Sequence, residues 1–106
     1  MKKIAARGGR AAERISVDYP FEGETIGSSR CTFQIDAPGR GVAIAIDGDG
    51  WRSCRRSDGR WWYDWSCGEP GRHQAIVRCE GPAGAEPAYR VCRFTVEPAP
   101  RQFHGR

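Results

Sequence analysis

Residues 31–46 read CTFQIDAPGRGVAIAI, two runs that alternate in hydrophobicity on either side of a Pro-Gly turn. In the first, Cys31, Phe33 and Ile35 alternate with Thr32, Gln34 and Asp36; in the second, Val42, Ile44 and Ile46 alternate with Ala43 and Ala45. A two-residue period sends neighbouring side chains to opposite sides of a pleated strand, whereas a helix face repeats at three and four. The stretch therefore predicts two strands joined at APGRG, the first half-buried.

The same rhythm runs outward in both directions. Toward the N-terminus, Ile15, Val17 and Tyr19 share one side of a strand that stops at Pro20, and FEGETIGSS (21–29) reads as a connection. Toward the C-terminus, DGDG (47–50) closes the third strand, Trp51 to Arg56 form a fourth, and SDGR (57–60) is a tight turn into Arg60–Ser66. GEPGR (68–72) bends the chain again. His73, Ala75, Val77 and Cys79 share one face of the next strand, and Cys92, Phe94 and Val96 point inward on the last, across the loop GPAGAEP (81–87). No stretch sustains a helical period with caps. About seven short strands, with turn signals roughly every eight to twelve residues, argue for an all-β antiparallel sandwich. Two sheets are needed, because one sheet this size would leave an apolar face in water.

At 106 residues the chain fits one domain with its own core. Its formal charge of +4 invites a nucleic-acid reading, so the distribution matters. Lys2, Lys3, Arg7, Arg10 and Arg14 against Glu13 give residues 1–14 a net +4, and Arg101 and Arg106 basify the other end. Residues 15–98 hold ten Arg against twelve acids. The excess basicity sits in the ends, which weighs against a DNA-binding face on the body. The expected organisation is a basic arm (1–14), a sandwich (15–97) and a C-terminal tail (98–106). The start has basic residues but no apolar segment of a secretory leader, and no run reaches membrane-span length, so a cytoplasmic location is expected.

The five cysteines (Cys31, Cys54, Cys67, Cys79, Cys92) contain no C-x-x-C pair, so neither a zinc knuckle nor a thioredoxin-type site is signalled. Free thiols acting as small hydrophobes are expected. Asp47, Asp49 and Asp58 lack the later glutamate of a calcium loop, and the glycines beside them fit Asp-Gly turns. His73 opens a strand after a bend, where its ring can pack and hydrogen-bond the corner backbone. No G-x-S-x-G, paired-carboxylate or Cys-His signature stands out, so no enzyme and no cofactor or metal is expected.

The stretch WWYDWSC (61–67) holds four aromatic residues among its first five. On a strand Trp61, Tyr63 and Trp65 face one side, Trp62 and Asp64 the other. Three large rings exceed what a thin core usually absorbs. The expected phase is therefore Trp62 inward, with Trp61, Tyr63 and Trp65 wholly or partly outward; the reverse phase leaves only Trp62 exposed. Arg52, Arg55, Arg56 and Arg60, across a hairpin turning at Asp58–Gly59, lie opposite or diagonal to the rings. They can cap the ring faces or, with Trp61, Tyr63 and Trp65, form a binding platform.

VAIAIDGDGW (42–51), GRHQAIVRCEGPAG (71–84) and RFTV (93–96) resemble the early-set immunoglobulin-like domains. An example is the dimerisation domain of sulfite-oxidase-type molybdenum enzymes, where a V-x-V-S-x-D-x-G-x-W hairpin precedes a G-x-H-x-I-x-V-R-A strand. The resemblance covers roughly residues 15–97 and extends to small stand-alone bacterial immunoglobulin-like proteins of unassigned role. It implies an immunoglobulin-like sandwich. No cofactor domain accompanies it here, so it implies no catalytic role.

Three function classes follow. The first is a non-enzymatic interaction module that binds a protein partner, associates with itself, or serves as an accessory subunit. Trp, Tyr and Arg dominate interface energetics, and the basic arms could wrap an acidic partner. The second is a carbohydrate module stacking a glucan on the Trp/Tyr hairpin, weakened by the scarcity of amide side chains for sugar hydroxyls. The third is nucleic-acid binding through the basic ends.

Overall fold

The computed structural model describes residues 14–66, 68–81 and 85–98. Most of the basic arm and of the C-terminal tail, Cys67 and the middle of the 81–87 loop lie outside them.

The described chain is all-β: β1 (Ser16–Tyr19), β2 (Glu24–Ile26), β3 (Cys31–Asp36), β4 (Val42–Ile46), β5 (Arg52–Ser53), β6 (Arg55–Ser57), β7 (Arg60–Trp65), β8 (Gly71–Cys79) and β9 (Ala88–Val96). Two sheets form an immunoglobulin-like sandwich, a four-stranded one ordered β1-β3-β7-β6 and a five-stranded one ordered β2-β9-β8-β4-β5. The core lies between them. Phe33, Ile35, Ile44, Ala75 and Val77 are fully buried, and Phe94 and Val96 nearly so.

Two segments depart from the sequence reading. FEGETIGSS, which reads as a connection in the sequence, contains β2, which pairs in parallel with the end of β9 through Glu24–Phe94, Thr25–Thr95 and Ile26–Val96. Three residues with one buried side chain leave too short a period to read. The expected fourth strand, Trp51 to Arg56, is two. Arg52–Ser53 pairs with β4, and Arg55–Ser57 pairs with β7 in the other sheet. The chain crosses at Cys54, whose side chain is buried and whose N–H donates to the Val42 carbonyl at 2.9 Å. One buried residue between exposed neighbours is the local mark of a sheet switch.

Turns follow the Asp-Gly chemistry. Asp47 and Gly48 have φ of 55° and 80°, Asp58 and Gly59 of 54° and 75°. Positive φ at both central residues is the primed turn that matches strand twist. It folds β6 back on β7 in the register Arg55–Trp62, Arg56–Trp61.

Candidate functional site

The phase of β7 is the reverse of the expected one. Trp61 is buried, 6% exposed, and Tyr63 and Trp65 are partly buried against the core. Trp62 is on the outer side, half-buried, its indole N–H donating to the Ser57 carbonyl at 2.9 Å. The cause is register. Residues directly opposite in an antiparallel pair share a face, and β7 pairs with β3 through Cys31–Trp65, Phe33–Tyr63 and Ile35–Trp61. Cys31, Phe33 and Ile35 face the core, so their partners must as well. The rings share the core with the small side chains of Ala75, Val77 and Cys54, and Trp65 packs over Gly68, where a Cβ would overlap its indole.

Trp65 therefore joins an aromatic cluster at one end of the core. Its ring meets Phe94 edge-on at 5.4 Å and Phe33 at 6.3 Å between centroids. His73 stacks on Phe94 at 5.5 Å and meets Trp65 at 5.2 Å. Both imidazole nitrogens are engaged, Nδ1 with the Asp47 carboxylate at 2.6 Å and Nε2 with the Glu69 carbonyl. Burial alone disfavours the charged ring, but the Asp47 carboxylate and the Glu69 carbonyl outweigh it and hold the pKa above the ordinary value. His73 thus packs and bonds the corner backbone, with Asp47 as its second anchor.

The arginines of the expected platform are dispersed. Arg56 lies over the Trp61 ring at 5.5 Å, closing the rim of the core. Arg55 pairs with Asp64 at 2.8 Å, and Thr32 donates to the same carboxyl, which the Arg55 bond above all holds below its usual range. Arg60 reaches Asp18 at 3.2 Å. Arg52 belongs to the other sheet, where it lines a groove of ≈ 190 Å³ with Tyr63 and Trp65. Trp61, Tyr63 and Trp65 do not form an exposed platform, and the four arginines do not converge on one.

Cys31, Cys54, Cys79 and Cys92 are free and buried. Burial pushes the thiols of Cys31, Cys54 and Cys92 up to about 11, and raises Cys79 too. Thiolates are the reactive form, so these cysteines pack as apolar groups.

The exposed aromatic pair is elsewhere. Trp51, 42% exposed, and Tyr89, 47% exposed, lie on the outer side of the five-stranded sheet with ring centroids 6.2 Å apart. The Arg78 guanidinium sits over the Trp51 ring at 4.5 Å, and its buried Nε has no hydrogen-bond partner among the described residues. Val91, also exposed, continues the patch beside Tyr89. Residues facing outward on β4, β8 and β9 include Arg72, Arg78 and Arg93 and no carboxylate. Arg93 meets Glu22 at the rim, at 3.3 Å. Sequence reasoning passed over Trp51 and Tyr89. The signal for Tyr89 was present: with Cys92, Phe94 and Val96 inward, an odd-numbered residue of the same strand faces out. Trp51 carried no such signal, because it precedes a two-residue strand.

No family model matches the chain, and no curated protein matches it. Solved structures do. The endo-β-1,4-mannanase from Thermotoga petrophila aligns with a TM-score of 0.66 at 11% identity, over 79% of this chain and 19% of the mannanase. An engineered protein gives 0.63 at 13% identity, over 77% of this chain and 19% of its own. The fibronectin(III)-like modules of Clostridium thermocellum CbhA give 0.61 at 17% identity, over 81% of this chain and 99% of the module. The chain thus spans about a fifth of the mannanase and nearly a whole fibronectin(III)-like module. At such identities the likeness is one of fold, and it agrees with the immunoglobulin-like sandwich.

Proposed function

We propose that the chain is a non-enzymatic immunoglobulin-like interaction module that docks a protein partner, as an accessory subunit or a binding domain, on the outer face of the five-stranded sheet. The observation that carries this is the exposed Trp51–Tyr89 pair with Arg78 stacked on Trp51. Tyr, Trp and Arg anchors on a sheet face are the composition of interface hot spots. The early-set resemblance supports the same reading, since the example it offers is a dimerisation domain.

Two features support the absence of chemistry. His73 has both nitrogens committed within the fold. The four described thiols are buried. A glucan platform of Trp61, Tyr63 and Trp65 loses its motive, because Trp61 is buried and Tyr63 and Trp65 pack partly buried against the core.

The test uses the purified chain as bait, in wild-type form and as the Trp51→Ala/Tyr89→Ala double variant. Both sites are exposed, so the variant is expected to melt with the wild type. A stoichiometric protein retained by the wild type and lost by the variant supports the proposal. Equal retention by both, or recovery of the bare monomer every time, overturns it.

A further inference from the structure

β9 has an open edge beside the aromatic patch. β2 covers only its last residues, from Phe94 onward, and no described strand pairs with that side of Ala88–Arg93. Backbone groups alternate in direction along a strand. Arg93 turns its carbonyl to the β2 side, where it accepts from the Gly23 N–H at 2.7 Å, and its N–H to the Glu22 carboxylate at 2.9 Å. By the same alternation the N–H and C=O of Val91 and Tyr89 also point to that side. The continuous register of β8 with β9 shows no bulge to reverse them. Glu22 and Gly23 thus act as the end of a missing strand, and the two slots beyond them have no pairing strand among the described residues.

Next to this edge lies a groove of ≈ 460 Å³ between β9 and β1, lined by Val17, Phe21, Val91, Cys92, Arg90 and Glu22. Phe21 is 58% exposed there. A strand laid along the β9 edge would alternate its side chains between this groove and the outer face. Apolar side chains suit the groove, against Val17, Phe21 and Cys92. Outward side chains would stand beside Tyr89, Val91 and the arginines of the carboxylate-free face.

The geometry points to a strand-addition site: an extended segment of the partner protein, with acidic residues alternating with apolar ones, pairs with β9 at Tyr89–Val91. Main-chain hydrogen bonds supply affinity in such a mode, and alternate side chains supply specificity. Charge selects the occupant. The chain's own first fourteen residues carry a net +4, and a second copy would bring the same arginines to its own edge. Carboxylates on the outward side of the added strand meet Arg93 and Arg78 favourably. The inference rests on the docking face proposed above and names what docks there.

Hydrogen exchange and peptide titration of the whole chain test it. In the free protein the amides of Tyr89 and Val91 exchange fast, while those of Cys92 and Phe94, which point to β8, are protected. A short peptide of alternating glutamate and valine binds, slows exchange at Val91, and loses affinity about tenfold in Val91→Pro, which removes an edge donor without touching the β8 ladder. Arg93→Glu weakens the same peptide by a similar factor and serves should the proline variant not fold. A lysine-valine peptide does not bind. Slow exchange at Tyr89 and Val91 in the free protein overturns the proposal, as does a failure of the acidic peptide to bind. Binding that ignores Val91→Pro and Arg93→Glu but falls in Trp51→Ala also overturns strand addition, while leaving the docking face standing.

Discussion

Replacing Trp61 by alanine distinguishes a ring in the core from a ring on the surface. The side chain is 6% exposed, lies opposite Ile35 and is covered at the rim by Arg56. Truncating a buried Trp removes its transfer energy and leaves a cavity, together about 3–5 kcal/mol. A domain of this size holds only about 5–15 kcal/mol in total. With a urea slope of about 1–3 kcal/mol/M, the unfolding midpoint should fall by roughly 1–5 M with the slope unchanged. Trp62→Ala loses one hydrogen bond, to the Ser57 carbonyl, and should cost about 1 kcal/mol. Urea titrations followed by circular dichroism compare the two; Trp61→Phe, which keeps a ring in the slot, provides a measurable intermediate should the alanine variant not fold. If Trp62→Ala proves the costlier change, or Trp61→Ala stays within about 0.5 kcal/mol of wild type, the register of β3 with β7 is wrong. The reading of Trp61, Tyr63 and Trp65 as core-facing then loses its basis.

Three further outcomes follow from particular contacts. His73 has its pKa raised in the fold despite burial, by Asp47 and the Glu69 carbonyl; its contribution to stability is full below the unfolded value of about 6.5 and lost as pH rises through the folded value, a dependence that Asp47→Ala should flatten in thermal melts across that range. In a Cys67→Ala background the remaining thiols, with Cys31, Cys54 and Cys92 held at about 11, should resist a disulfide reagent at neutral pH until urea unfolds the chain; rapid reaction of the native protein would contradict their burial. Gly68→Ala should destabilise through overlap with the Trp65 indole, and Gly59→Ala by about 1 kcal/mol through its φ of 75° alone; calorimetry showing both neutral would refute the packing of Trp65 and the primed turn.

The two-residue period of Cys31–Asp36, Val42–Ile46 and the inward positions of the last two strands was enough to place most of the core. It failed where elements are too short to have a period, at β2 and at the β5–β6 switch. The aromatic run failed for a different reason. Alternation states that Trp61 and Trp62 part company, but not which goes inside, and counting ring volume against a thin core favoured the wrong answer. The phase is set by the pairing of β7 with β3, whose residues lie about thirty positions away in sequence. Trp51, Arg78 and Tyr89 likewise come from separate segments.

What this chain carries locally is the pleat: alternation, Asp-Gly turns with positive φ, and prolines at strand ends, each a matter of a few consecutive residues. What only the assembled sandwich decides is which side of an ambiguous pleat, that of β7 above all, meets water. That choice is made by cross-strand register and by the volumes of residues on the facing sheet. The assembly turned Trp61, Tyr63 and Trp65 toward the core, left Trp51 and Tyr89 outside, and opened an edge on β9.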